Sequence, residues 1–167
     1  MDTHMRTLTL LLMRHGQAEF RNPSGDRERS LTPRGKLQVQ STGKQLQQHQ
    51  LSPTLALVSE AQRTQDTASL LQSLWPSAHW KTLQQLYLAT PFSTLQLLDE
   101  EELSSHDTLL LVGHNPGFSE LATHFSDVRV GLDTASAAWL ELDASSWKEA
   151  LQMNGLWQLR EVVHSGV

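Results

Sequence analysis

In Thr7-Leu8-Thr9-Leu10-Leu11-Leu12-Met13-Arg14-His15-Gly16, a nearly unbroken apolar run stops abruptly at an arginine, a histidine and a glycine. A strand wetted on one face alternates apolar with polar residues, whereas a strand covered on both faces does not. The run therefore predicts a strand inside a mainly parallel sheet with helices above and below it. Leu55-Ala56-Leu57-Val58 and Thr108-Leu109-Leu110-Leu111-Val112 repeat the pattern. Helix starts lie between and after these runs. Thr32 caps and Pro33 begins a helix to about Gln50; Ser59 is placed to cap one running through Arg63, Thr67 and Leu71 toward Leu74; Asn115-Pro116 marks another. Pro91 to Glu102 reads as helical with Leu95, Leu97 and Leu98 inward, while Gln17 to Ser30 is a polar loop. Less regular strands are expected over Lys81–Leu86, Ala135–Leu142 and Gly155–Val163, the last at a sheet edge. The expected fold class is α/β: a three-layer sandwich with a mainly parallel central sheet and helices on both faces. Residues 1–167 are expected to form a single domain, Met1 to Met5 being a loose terminus ahead of the first strand.

Composition narrows the chemistry. The chain has no cysteine, which removes disulfides, thiolate metal sites and a cysteine nucleophile. Its formal net charge is −5, with basic residues spread along the chain, so no nucleic-acid partner is expected. No apolar run approaches the roughly 20 residues that span a bilayer and no leader precedes the first strand, so no membrane partner and a cytoplasmic location are expected.

Ligands of open parallel sheets bind at the carboxyl ends of the strands. Three of the expected strands end there in Arg14-His15, in a helix carrying Arg63 within its first turn, and in His114. Were these strands parallel neighbours, two imidazoles and two guanidiniums would meet, which is electrostatically sensible only around an anion such as phosphate. A single Arg-His pair is ordinarily surface chemistry, but three coincident strand ends are not. His4, His49, His79, His106, His124 and His164 lack such a setting, and the five tryptophans read as packing. No His-x-x-x-His pair or carboxylate cluster accompanies His15 or His114, so neither a metal nor any other cofactor is expected.

Four segments, in order, resemble the motifs of the histidine phosphatase superfamily in its short bacterial, SixA-like branch. They are Arg14-His15-Gly16 after the first strand, Asp26-Arg27-Glu28-Arg29-Ser30-Leu31-Thr32-Pro33-Arg34-Gly35, Ser59-Glu60-Ala61-Gln62-Arg63-Thr64-Gln65-Asp66-Thr67-Ala68, and Val112-Gly113-His114-Asn115-Pro116-Gly117. The resemblance implies a phosphoglycerate mutase-like fold, a phosphohistidine enzyme intermediate on His15, phosphate binding by Arg14, Arg29 and Arg63, and a pocket completed by His114; during phosphoryl transfer His114 is expected to be protonated. Arg29 enters through the resemblance alone; by pattern it is one more charged loop residue.

Larger relatives supply a carboxylic acid after the third motif, but Leu83-Gln84-Gln85-Leu86-Tyr87 offers glutamine. Glu19, Glu60 and the Asp99–Glu102 cluster are the remaining carboxylates. Without an acid, an imidazole leaves more readily than an alkoxide. The expected partner is thus a phosphorylated protein histidine or a small phosphorylated substrate. The alternatives are a phosphomonoesterase for a small-molecule or aryl phosphate, a mutase, and a catalytically silent phosphate- or partner-binding module.

Overall fold

The first apolar run forms β1 (Arg6–Arg14), and its side chains are divided between two cores. Leu8, Leu10 and Leu12 enter one hydrophobic cluster, Leu11 and Met13 the other. β2 (Leu55–Ser59) and β4 (Thr108–Gly113) divide in the same way, with Leu57 and Leu111 on one side and Val58 and Val112 on the other. Burial on both faces is why these strands lack the alternation of a half-exposed sheet. The computed structural model describes residues 4–167; Met1 to Thr3 of the opening segment lie outside the described residues.

The other elements are α1 (Pro33–Gln48), α2 (Gln62–Gln72), β3 (His79–Leu83), α3 (Pro91–Glu100), α4 (Gly117–Ser126), β5 (Ala137–Ala144), the single-turn α5 (Trp147–Ala150) and β6 (Gln158–Val163). The six strands form one sheet in the order β3-β2-β4-β1-β5-β6. β3, β2, β4 and β1 are mutually parallel, and β5 and β6 complete the sheet antiparallel. Val39 and Leu46 of α1 and Ala68 and Leu71 of α2 cover one face. Leu97 and Leu98 of α3, Phe118, Leu121 and Phe125 of α4, and Trp147 of α5 cover the other. The expected α/β sandwich is the observed one. Among the described residues no helix is long and apolar enough to cross a membrane.

Boundaries moved where side chains found other partners. Thr32 caps α1 through a hydrogen bond from the Gly35 N–H at 3.0 Å. Thr90 and Ser93 form a reciprocal capping box on α3, which ends at Glu100. The expectation that Ser59 caps a helix is corrected: α2 begins at Gln62 after Ala61, and Ser59 remains in β2. The third strand lies earlier than expected, because Gln84–Leu86 wind into a 3₁₀ turn.

Register places the strand ends together. In the parallel pairing of β1 with β4, Arg14 lies opposite Gly113 and Met13 opposite Val112, which also pairs with Val58 of β2. The residues that follow, His15, His114 and Ser59, consequently share one edge of the sheet.

Candidate active site

His15 follows β1 and is held from both sides: its N–H donates to Gly113 O at 3.2 Å and its carbonyl accepts from Ala135 N at 2.8 Å. Its ring Nδ1 lies 2.6 Å from Gly16 O. A carbonyl only accepts, so Nδ1 carries the proton and Nε2 keeps its lone pair. The carbonyl is placed by a close approach of two backbones. A Cβ on Gly16 would lie 2.6 Å from Gly35 O, and one on Gly35 would lie 2.0 Å from Gln17 O. Thr67 of α2 locks the same turn, accepting from Gly16 N at 3.2 Å while donating to Arg63 O at 2.8 Å.

His15 and His114 are buried with their ring centroids 5.5 Å apart. They line one cavity of about 350 Å³ together with Arg14, Arg29 and Arg63. The five residues singled out by sequence are thus brought together. A larger polar groove of about 510 Å³ lies beyond Arg14, beside Arg34, Asp133 and His164, but neither His15 nor His114 lines it.

Each arginine is oriented by a carbonyl or a carboxylate. Arg14 Nη1 donates to Leu132 O at 3.1 Å, and Arg29 Nε donates to Glu19 O at 2.7 Å. Arg63, whose side chain is 3% exposed, donates from Nη1 to the Asp26 carbonyl at 2.9 Å and from Nη2 to Asp26 Oδ2 at 3.1 Å. Asp26 Oδ1 also accepts from Arg29 Nη1 at 2.9 Å. The buried Nε atoms of Arg14 and Arg63 have no hydrogen-bond partner. Three guanidiniums face one carboxylate, so the cavity favours an anion.

This surplus of positive charge acts on the imidazoles. Burial, with Arg63, Arg14 and Arg29 adding to it against the Gly16 hydrogen bond, pushes the His15 pKa down to about 4. His114 is pushed down to about 3 by burial first, then by Arg63 and His15. Both rings are neutral at pH 7. In the unliganded cavity a cation on His114 would have to form out of water beside Arg63, so the expected protonated His114 calls for a bound anion. His114 Nε2 lies 2.8 Å from Ser59 Oγ, and its Nδ1 has no partner.

Sequence reasoning missed three residues here. Asp26 links Arg29, three positions on, to Arg63, 37 positions on, and also accepts a hydrogen bond from the hydroxyl of Tyr87, the chain's only tyrosine. That hydroxyl first, then Arg29 and Arg63, holds the Asp26 carboxyl far below the usual range. The Tyr87 ring meets His114 edge-on at 5.6 Å and stacks under the Arg27 guanidinium at 4.4 Å. Asp26 is visible in the sequence only as the first residue of the second motif, Tyr87 only as the end of a glutamine-rich stretch, and Ser59 only as a helix cap and the first residue of the third motif.

The carboxylates considered as proton donors are engaged elsewhere. Glu19 Oε1 accepts from Ser30 N at 2.8 Å and pins the loop, Glu60 pairs with Arg27 at 3.2 Å, and Glu101 pairs with Lys81 at 2.9 Å. None of them lines the cavity. Among the described residues no group of three or more His, Cys, Asp or Glu is arranged to hold a metal ion.

Known proteins share both sequence and fold with this chain. Residues 10–87 match the model of the histidine phosphatase superfamily, branch 1. An uncharacterised chloroplastic protein of Arabidopsis thaliana is 28% identical over 166 residues, covering 92% of this chain and 76% of that protein. A structure from Nakamurella multipartita, named for the phosphohistidine phosphatase SixA, superposes with a TM-score of 0.82 at 23% identity, covering 99% of this chain and 100% of that one. The protein histidine phosphatase SixA complexed with tungstate superposes with a TM-score of 0.74 at 18% identity, covering 95% and 97%. The matched segment carries Arg14, His15, Arg29 and Arg63, and the fold brings His114 to them, so residues 10–87 are similar to the histidine phosphatase superfamily and the whole chain shares the fold of the SixA structures.

Proposed function

We propose that this histidine phosphatase removes phosphate from phosphorylated histidine through a covalent phosphohistidine on His15. The observation that carries the reading is a neutral His15, its Nδ1–H tied to Gly16 O, in a cavity with three guanidiniums. The Nε2 lone pair attacks phosphorus, an Nε2–P bond forms, and the bond from phosphorus to the substrate nitrogen breaks. The departing imidazole keeps that electron pair and carries the proton on its other nitrogen. Charge on the equatorial oxygens is met by Arg14, Arg29 and Arg63. Ser59 Oγ accepts from Ala61 N at 3.5 Å, leaving its own O–H to donate to His114 Nε2. His114 Nδ1–H then faces a phosphate oxygen as a donor. Water next attacks the phosphohistidine, releasing phosphate and returning the lone pair to Nε2.

The substrate class rests on Asp26. Among the described residues it is the only carboxylate lining the cavity, and Tyr87, Arg29 and Arg63 keep it ionised. An alkoxide needs a proton on leaving that this carboxylate does not hold, whereas a protonated imidazole departs without one. Two relatives named for SixA support the same substrate class. An aryl phosphate, whose phenolate is also a good leaving group, is the second reading favoured by this observation.

Rapid quench with labelled phosphohistidine peptide is expected to leave an acid-labile, alkali-stable label on the protein that His15→Ala never acquires. Faster turnover of glycerol phosphate than of phosphohistidine at neutral pH would overturn the substrate assignment while leaving the phosphatase reading in place.

A further inference from the structure

Leu88 also lines the cavity. Among the described residues, the cavity is otherwise lined by charged or hydrogen-bonding side chains, and Leu88 is its only aliphatic one. The leucine side chain is not buried in a core: the residue is 54% exposed. Its backbone is left-handed, with φ of 49°, a conformation that glycine adopts freely and that penalises leucine.

The other non-glycine residues with positive φ have local reasons for it. Gln50 and Asp127 terminate α1 and α4, and Ala135 is buried with its N–H on the His15 carbonyl. Leu88 closes a turn that glycine would close at lower cost, and its exposed side chain contributes little burial to offset the difference. The turn is also clamped. On one side the Tyr87 hydroxyl is bound to Asp26; on the other, Ala89 O lies where a Cβ on Gly117 would come within 2.0 Å of it. A side chain on this fixed turn stands at the cavity wall in a fixed place.

We infer that Leu88 is a specificity-determining residue that packs against the leaving group and favours a flat, weakly hydrated ring over a hydroxylated chain. The inference rests on the phosphatase reading above. The guanidiniums take the phosphoryl oxygens, which do not differ between substrates, so discrimination falls to whatever the remainder of the substrate touches. An imidazole or phenyl ring gains from a leucine methyl surface, whereas glycerol or a sugar would lose water from its hydroxyls against it without a replacement partner.

The test compares wild type with Leu88→Gly and Leu88→Asn, both residues that accept the left-handed backbone. Values of kcat/KM are measured for phosphohistidine peptide, p-nitrophenyl phosphate and glycerol phosphate, with Tm measured in parallel. The ratio of ring-bearing to glycerol substrate is expected to fall about fivefold or more in both variants, furthest in Leu88→Asn, with Tm at or above the wild-type value. Unchanged ratios would overturn the inference, as would an equal loss on all three substrates accompanied by a lower Tm, which would make Leu88 a turn residue only. Wild-type protein inactive on all three substrates would instead overturn the phosphatase reading, and this inference with it.

Discussion

Lowering the pH from 7.5 to 5 should leave the nucleophile almost untouched. With a pKa near 4, His15 is about one-tenth protonated at pH 5, whereas an imidazole at the ordinary 6.5 would be about 97% protonated. The enzyme-side factor in kcat/KM should therefore retain about nine-tenths of its value at pH 5; an unperturbed histidine would leave it about one-thirtieth. The sign follows from the site, because protonating His15 places a cation out of water beside Arg63, Arg14 and Arg29 and removes the lone pair that attacks. The assay is kcat/KM for p-nitrophenyl phosphate between pH 4.5 and 8, corrected for the substrate's own ionisation. This ratio reports the free enzyme, before a bound dianion alters the field. NMR titration of the His15 ring in the unliganded protein gives an independent pKa. Arg63→Met, which removes the strongest of the three cationic influences, should move the ring's pKa upward. An acid limb near 6.5 in the wild type, or an Arg63→Met protein whose His15 pKa falls, would refute the electrostatic account.

The same shift has a consequence for folding. Unfolded His15 takes up a proton near pH 6.5 and folded His15 only near 4, so stability is full above 6.5 and declines as pH falls between those values. Between pH 7 and 5 the wild type should lose about 2 kcal/mol more than His15→Gln, read from urea unfolding at each pH. Gly16→Ala places a Cβ 2.6 Å from Gly35 O and 2.9 Å from Val39 Cγ2, so the backbone must shift. It should cost about 1–3 kcal/mol of stability and, by displacing the carbonyl that orients His15, lower kcat about a hundredfold. Ser59→Ala removes the hydroxyl from buried His114 Nε2. It should cost about 1–3 kcal/mol and weaken tungstate binding measured calorimetrically, while the acid limb stays near 4.

Local chemistry determined much of this protein. Apolar runs at Leu8–Met13, Leu55–Val58 and Leu109–Val112 announce buried strands because only a strand covered twice can dispense with polar alternation. Thr32-Pro33 announces α1 because capping is a contact within three residues. The motifs at Arg14-His15, Arg63 and His114 point to one place because parallel strands end along one edge, and Arg29 followed from the resemblance. What only the tertiary structure decided depends on contacts between distant segments. Ser59 has a good capping side chain, but the register of β2 beside β4 sets its hydroxyl against His114, a long-range bond that no local spacing announces. Asp26 meets Arg63 and Tyr87 only after the loop beyond β1 folds back over α2 and the turn after β3, a meeting with no period or spacing to reveal it. The neutrality of both histidines is likewise a property of assembly, since burial and three converging guanidiniums exist only in the folded chain.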